Sequence, residues 1–375
     1  MAISKVTLNG VTQMDVTQDT VDEDNLLAGE TATKADGVRT TGTLQCDPNY
    51  LQSTGDSTDR TSDILSMLTN NKICRLGPGR FDISNLQMPT GSSIVGCGYA
   101  TDVRMSGSSD GFAIKMYDYC SISDIRLRGS TSTPSFTATE GGRHGIVWGD
   151  IYIVRGLVSN VQIENFSGGG IRCNNTGVYT NGCIEVTNSY IQSCWAGIDI
   201  AYNSEYHKFS NIKCRGCYVG CVNNGGNNMF ANCDFSTNKE IGMLMDNSQG
   251  QSPNNTHGGC VGCVFNHTQS NGVDNSGIGI KILGGGNGFS FTGCQIYYSK
   301  TYIDNSVGII FTGCNFGSTN CDITVIGGSN SNSVSLLFTS NTCSGSSNVP
   351  ITKSNNPNIK IANCYNRDTG ADWSA

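Results

Sequence analysis

A six-residue phrase recurs along this chain: an apolar residue, any residue, Asn or Gly, a small or apolar residue, any residue, an apolar residue. It stands as Ile94-Val-Gly-Cys-Gly-Tyr99, Phe230-Ala-Asn-Cys-Asp-Phe235, Phe291-Thr-Gly-Cys-Gln-Ile296, Phe311-Thr-Gly-Cys-Asn-Phe316 and Ile361-Ala-Asn-Cys-Tyr-Asn366. Weaker copies begin at Ile122, Val158, Val186, Phe209, Cys260 and Phe338, which makes eleven copies with first residues from 94 to 361. Their mean step is (361 − 94)/10, about 27 residues. A repeat of this length means a solenoid, in which each unit buries its apolar face against the next.

Composition narrows the units to short strands. Charged residues are 14% of the chain, hydrophobic residues 37%, and Gly numbers 48 against 7 Pro. That is too apolar and too regular for disorder. It suits strands joined by tight turns, where Gly and Asn supply positive φ. The net charge of −7 comes with no basic stripe, which excludes nucleic acid as the expected partner. No apolar run approaches the roughly 18 residues of a membrane span, so no membrane insertion is expected. Met1-Ala-Ile-Ser-Lys-Val6 lacks the apolar core of a signal peptide. The expectation is therefore a protein made and kept in a cytoplasm until assembly or lysis releases it.

The repeat also accounts for most of the 18 cysteines. The fourth position of the phrase is Cys97, Ile125, Val161, Ser189, Ile212, Cys233, Cys263, Cys294, Cys314, Asn341 and Cys364. Cys alternates there with Ile and Val, as a small buried hydrophobe does. Cys214-Arg-Gly-Cys217 and Cys260-Val-Gly-Cys263 have zinc-like spacing, but neither has a second pair at the distance of a ribbon or finger. Reduced cysteines stacked inside the solenoid are expected, with no metal and no cofactor.

A second strand follows each phrase, usually Gly-apolar-x-apolar: Gly145-Ile-Val-Trp148, Gly170-Ile-Arg-Cys173, Gly197-Ile-Asp-Ile200, Gly242-Met-Leu-Met245 and Gly279-Ile-Lys-Ile282. Alternation turns Val147, Arg172, Asp199, Leu244 and Lys281 outward, stacked along one face of the rod. Long steps between copies mark loops at residues 128–157, including Glu140-Gly-Gly-Arg-His144, and near Asn174–Gly182 and Asp246–Gly258. Such bulges can wall a groove.

Before the repeat, Asp59–Asn70 reads as a helix capped by Thr61 or Ser62, with Ile64, Leu65, Met67 and Leu68 on its apolar face. It would cover the open end of the first coil. The expected layout is a particle-attachment module over 1–45 and a linker, capping helix and first strands over 46–93. The repeat over 94–366 and a C-terminal cap over 367–375 follow.

Two stretches resemble known families. Leu76-Gly-Pro-Gly-Arg-Phe-Asp-Ile83 and Ser92-Ser-Ile-Val-Gly-Cys-Gly98, taken with the repeat, resemble the pectate-lyase-like superfamily of right-handed parallel β-helices, which includes many phage tailspikes. The resemblance spans roughly residues 54–366. Val6-Thr-Leu-Asn-Gly10, Leu27-Ala-Gly29 and Thr41-Gly-Thr43 resemble the N-terminal modules of phage tail proteins. The resemblance implies an all-β fold and a homotrimer in a virion tail or tail-like particle. Residues 1–45 would attach to other tail or baseplate proteins. The first expected function is adhesion to host surface polysaccharide. Glycan depolymerisation by a hydrolase or lyase, and structural decoration, remain open as alternatives.

Glycan-cleaving β-helices use outward carboxylates. A hydrolase needs two; a lyase needs a base and a neutraliser for the uronate. The candidates are Asp199, Glu185 and Glu164 as catalytic carboxylates, with Asp150 and Asp234 nearby in sequence. Arg172, Tyr190, Trp195, Tyr202, Glu205, His207 and Trp148 are the expected glycan contacts, with His144 close to them. Against this stands the reading of Asp199 as a surface partner of Arg172, contributing about 0–1 kcal/mol.

Overall fold

In the computed structural model, the first residues of all eleven phrases fall in one column of a parallel sheet. Ile94, Ile122, Val158, Val186, Phe209, Phe230, Cys260, Phe291, Phe311, Phe338 and Ile361 are successive register partners, and Cys74 extends the column by one strand. The structure describes residues 49–107, 110–130, 132–135, 139–148, 155–173, 180–181, 183–202, 204–247, 257–269, 276–284, 288–317, 321–327, 335–344, 351–355 and 357–373, together with four short strands before residue 42. Those four strands belong to a separate unit, Met1–Tyr50. They pair antiparallel as Lys5–Leu8 with Val11–Asp15 and Thr31–Thr33 with Arg39–Thr41.

The second unit, Leu51–Ala375, is a parallel β-helix of three sheets. Sheet A carries the column above and runs from Tyr50–Leu51 to Asn358–Ala362. Sheet B follows it in each coil, with six strands from Gly79–Ile83 to Lys213–Arg215 and five from Val264–Asn266 to Tyr365–Asn366. Asp234 joins the two halves by single parallel bridges to Lys213 and Val264. Sheet C has eleven strands, from Leu86–Gln87 to Ile351–Ser354.

The corner between A and B explains the Asn and Gly of the phrase. Their position has positive φ in ten of the eleven copies, at Asp124, Asn160, Asn188, Asn211, Asn232, Gly262, Gly293, Gly313, Ser340 and Asn363. A left-handed residue there turns the chain sharply, and Asn and Gly tolerate it best. Gly96 is the exception. A 3-10 turn at Gly98–Ala100 follows it, and Thr101 takes the inward place, bonding Cys97 N and the carbonyls of Leu76 and Gly77. Cys97 is therefore exposed, against expectation, while the other ten residues of the fourth position are buried.

Inside, aromatic rings continue the column. Phe291 stacks on Phe311 at 4.7 Å and Phe311 on Phe338 at 5.1 Å. Trp373 closes the C-terminal end edge-on against Phe316 at 5.5 Å. The helix spans Thr61–Asn71 and seats Ile64 and Leu68 in the core. It differs from expectation in two details. Its N-cap is Arg60, with Asp59 Oδ1 accepting from Thr61 N, and Leu65 is 38% exposed.

Among the described residues, 17 cysteines are free and 15 of these are buried. Burial raises the thiols of Cys194, Cys214, Cys221 and Cys260 well above their ordinary range. The zinc-spaced residues Cys214, Cys217, Cys260 and Cys263 are all buried in the core, and for Cys214 and Cys260 burial favours the protonated thiol.

Candidate functional site

Sheet C sets the outward residues in register as Lys115, Val147, Arg172, Asp199, Val222, Leu244 and Lys281. Arg172 and Asp199 are therefore neighbours one coil apart, about 4.8 Å along the rod. The outer face here is not bare. Val147, Asp199 and Val222 are all buried.

The long loop before sheet C supplies a third group. Glu140 Oε1 lies 2.6 Å from Arg172 Nη1, while Asp199 Oδ2 lies 3.4 Å from Arg172 Nε. One guanidinium thus lies between two carboxyls, the three groups coming from three successive coils. Burial, then the charge of Asp199, pushes the Glu140 carboxyl up to about 7. Burial also raises Asp199 above its usual 3.8, and Arg172 opposes that rise. At neutral pH the arrangement favours one shared proton and one negative charge against the cation.

His144 completes the cluster. Gly169 N–H donates to its Nδ1 at 3.0 Å, and Arg172 Nη1 is 3.1 Å from Nε2. Burial and the Arg172 charge push its pKa down to about 4, so the ring is neutral. The ring lies against Gly168, where an added Cβ would come within 2.4 Å of Nδ1. Main-chain bonds from Gly141 N to Ser167 O and Gly168 N to Arg143 O hold the loop on the turn beneath it.

The other sequence candidates divide by sheet. Glu164 is outward on sheet B but saturated. Its Oε1 accepts from Arg126 at 2.6 and 2.9 Å, and its Oε2 accepts from Gln162 at 2.9 Å and Gln192 at 2.6 Å. With both oxygens engaged in a buried ladder, it has no lone pair directed at a substrate. Tyr190 also lies on sheet B, and Asp234 there pairs with Arg215 at 2.9 Å. Glu185 is exposed on sheet A, 3.4 Å from Lys208. It lines a separate groove of about 450 Å³ with Tyr119, Arg155 and Leu157. Neither Glu164 nor Glu185 joins Asp199.

Trp148 and His207 are core residues, not contact residues. Trp148 is 1% exposed and packs over Gly156, where a Cβ would meet its Nε1 at 2.5 Å. His207 is fully buried, with Nε2 2.7 Å from Ser204 Oγ. Trp195 lies at the start of the Asp199 strand, half-buried, and Tyr202 follows that strand in a turn. Glu205 accepts from Asn227 at 3.2 Å. Asp150 lies outside the described residues.

No known family profile matches the sequence. No curated protein matches it either. Solved structures do match. The A-module of an Azotobacter vinelandii mannuronan C-5 epimerase is 13% identical, covers 87% of this chain and 99% of its own, and superposes with a TM-score of 0.59. PfbA, a surface adhesin of Streptococcus pneumoniae, is 9% identical over 84% of this chain and 90% of its own, with a TM-score of 0.59. The Dettilon tailspike protein is 12% identical over 84% of this chain and 68% of its own, with a TM-score of 0.53. The shared property is the fold. This chain is a parallel β-helix, the fold it shares with these structures.

The Glu140 carboxyl is the member of this cluster that the sequence candidates did not include. Its signal was its place four residues before His144 in the longest inter-coil step.

Proposed function

We propose that this protein is a tailspike-like receptor-binding protein that holds host surface glycan on the outer face of sheet C and cleaves it there. The carrying observation is the Glu140–Arg172–Asp199 cluster. Glycoside hydrolysis uses one carboxyl as acid and a second as base or nucleophile. Glu140, pushed up to about 7, keeps a proton near neutral pH and is the acid. Asp199 is the carboxylate, with Arg172 compensating its charge. Glu140 gives its proton to the glycosidic oxygen as the bond to the anomeric carbon breaks. Asp199 activates the water that adds to that carbon, or attacks it first and is then released by water. In either route the second proton comes from water.

Known β-helix proteins support the assignment of class. Those of similar fold include a tailspike, an adhesin and a sugar epimerase. Residues 1–45 would attach the protein to other tail or baseplate proteins, the virion would be its location, and a homotrimer its assembly.

The test is incubation of the full chain with envelope polysaccharide from susceptible hosts. New reducing ends without ultraviolet absorbance of an unsaturated sugar mark hydrolysis. Glu140→Gln should keep binding and lose cleavage. Unsaturated ends would replace hydrolysis with elimination. Binding without cleavage by the native chain would leave adhesion alone, and neither would leave structural decoration.

A further inference from the structure

The groove of about 450 Å³ lies on sheet A, a different sheet from the Arg172 cluster. Ser121, Leu157, Glu185 and Lys208 line it as successive register partners, so it spans four coils, about 14 Å of the rod. Its charges do not balance. Lys208 holds Glu185 at 3.4 Å, while Arg155, the register partner of Cys183, has no side-chain partner among the described residues. Elsewhere on the rod Arg80, Arg104, Arg126, Arg128, Arg172 and Arg215 each hold a carboxyl group. The lining of the groove thus carries one uncompensated positive charge. Its rim also breaks a rule of the fold. Counted by register, Gly91, Tyr119, Arg155, Cys183, Tyr206 and Asn227 share one corner position. The chain is left-handed there at Gly91, Tyr119, Tyr206 and Asn227, with φ of 73°, 58°, 66° and 53°. Glycine and asparagine take that conformation readily, whereas tyrosine takes it with strain. Packing offsets little of the strain, because Tyr119 and Tyr206 are 58% and 48% exposed. Strained backbone of this kind gathers at ligand sites.

We propose that this groove is a second glycan-binding site, and that it takes a sugar residue bearing a carboxylate. The site goes beyond the sheet C cluster and does not depend on cleavage there. Arg155 receives the carboxylate, since an unpaired guanidinium offers parallel N–H donors to a planar anion. The single excess charge matches a monoanion, and a phosphate dianion would be repelled by the Glu185 carboxylate in the same groove. Glu185 and Ser121 accept from the ring hydroxyls. The Ser121 hydroxyl donates to Ser93 Oγ at 2.7 Å, which leaves its lone pairs for the ligand. The Tyr119 ring and Leu157, which is 39% exposed, supply the apolar surface for the C–H face of the sugar. A neutral sugar can make these last contacts but gains nothing from Arg155.

The groove carries its own reporter, because half-buried Cys183 lines it. The measurement uses full-length Cys97→Ser protein, so that the exposed thiol does not consume reagent. It follows alkylation of Cys183 by iodoacetamide, read by mass spectrometry. The probes are methyl glucuronide, methyl galacturonide, methyl glucoside and inorganic phosphate. At millimolar concentration at least one of the two uronides should slow the alkylation several-fold, and glucoside and phosphate should not. Arg155→Met should abolish the protection. Tyr119→Asn should weaken it roughly tenfold and yet raise the thermal midpoint, because asparagine relieves the strained corner. Both residues are exposed, so neither change threatens the core, and far-ultraviolet circular dichroism checks the fold. Equal protection by methyl glucoside or phosphate, none by either uronide, or full protection in Arg155→Met overturns the site. Protection should persist when Glu140→Gln is added, and its loss there would place the probe on sheet C and overturn the groove. A native chain that cleaves nothing while Cys183 is still protected would leave this site standing and remove the hydrolytic reading.

Discussion

Arg172 donates to Glu140 at 2.6 Å, a closer contact than the 3.4 Å it keeps to Asp199. The register partner is therefore the weaker of its two carboxyl contacts, and the loop residue is the stronger. Asp199 is not the exposed half of a surface ion pair. It is one of two partly enclosed carboxyls sharing one cation. Arg172→Met should raise the Glu140 pKa beyond 7, because the guanidinium is the charge that opposes its rise. The expected outcome is an alkaline limb of the kcat/KM profile displaced to higher pH, with kcat reduced. An unshifted limb in an active variant would mean that another group sets it.

The cluster also predicts opposing pH slopes in stability. The Glu140 carboxyl sits at about 7 in the fold and near 4.5 when unfolded. Folding takes up its proton between those values, so stability from this group is full below 4.5 and declines as pH rises towards 7. His144 works the other way. Its pKa is about 4 in the fold and 6.5 unfolded, so stability from it grows as pH rises from 4 to 6.5. The two should nearly cancel between about pH 4.5 and 6.5. Denaturant midpoints of His144→Asn should then fall with rising pH more steeply than those of the native chain. Midpoints of Glu140→Gln should rise more steeply. A parallel pH dependence in all three proteins would refute the assignment.

Thiol chemistry tests the interior. Cys97 is exposed and Cys183 half-buried, while the other 15 described cysteines are buried. In the native protein a thiol reagent should label Cys97 promptly, and Cys97→Ser should remove that phase. After denaturation under anaerobic conditions all 18 should titrate. A mostly oxidised protein would contradict the stacked-thiol core.

The aromatic column carries much of the packing. Phe311 stacks between Phe291 at 7° and Phe338 at 3°. Phe311→Ala should destabilise the fold by about 3–5 kcal/mol, and Phe311→Leu by less. Since each coil touches only its neighbours, hydrogen exchange should accelerate most in the coils on either side. A loss below about 1 kcal/mol would mean that the column rearranges around the cavity.

What could be read in advance follows from periodicity. The column from Ile94 to Ile361 was legible because ten of the eleven copies place an apolar residue two positions before a left-handed corner, and the Ile94 copy keeps the spacing. The same period set Arg172 beside Asp199. Trp148 and His207 were misread because residue type was weighed over parity. Trp148 follows outward Val147 and so points in, and His207 shares the inward face with Phe209 two positions later. Glu164 was outward as expected, yet Arg126, Gln162 and Gln192 from adjacent coils consume its oxygens. Cross-coil hydrogen bonds have no sequence period. Glu140 was hidden for a related reason, since an insertion returns to the sheet by packing rather than by repeat.

That packing gives the last prediction. Gly168 lies under the His144 ring, and a methyl there would meet Nδ1 at 2.4 Å and Cε1 at 2.5 Å. Its φ is not positive, so the strain of alanine lies in contacts: the methyl would also meet the main-chain oxygen of Gly141 at 2.7 Å, and the loop must shift with the ring. Gly168→Ala should therefore push the ring away and break its bond from Gly169 N–H. With the ring released towards solvent, the His144 pKa should climb from about 4 towards 6.5, read by proton NMR titration of the imidazole. Glu140, four residues upstream on the same loop, should lose its hold on Arg172, and cleavage should drop by roughly tenfold or more, the scale of a 1 Å misplacement at a reacting centre. The thermal midpoint should fall only slightly, because the atoms nearest the added methyl belong to His144 and Gly141 of the loop and not to the apolar core. Native cleavage with an unshifted imidazole would show that the loop tolerates the methyl, and that His144 does not position the acid.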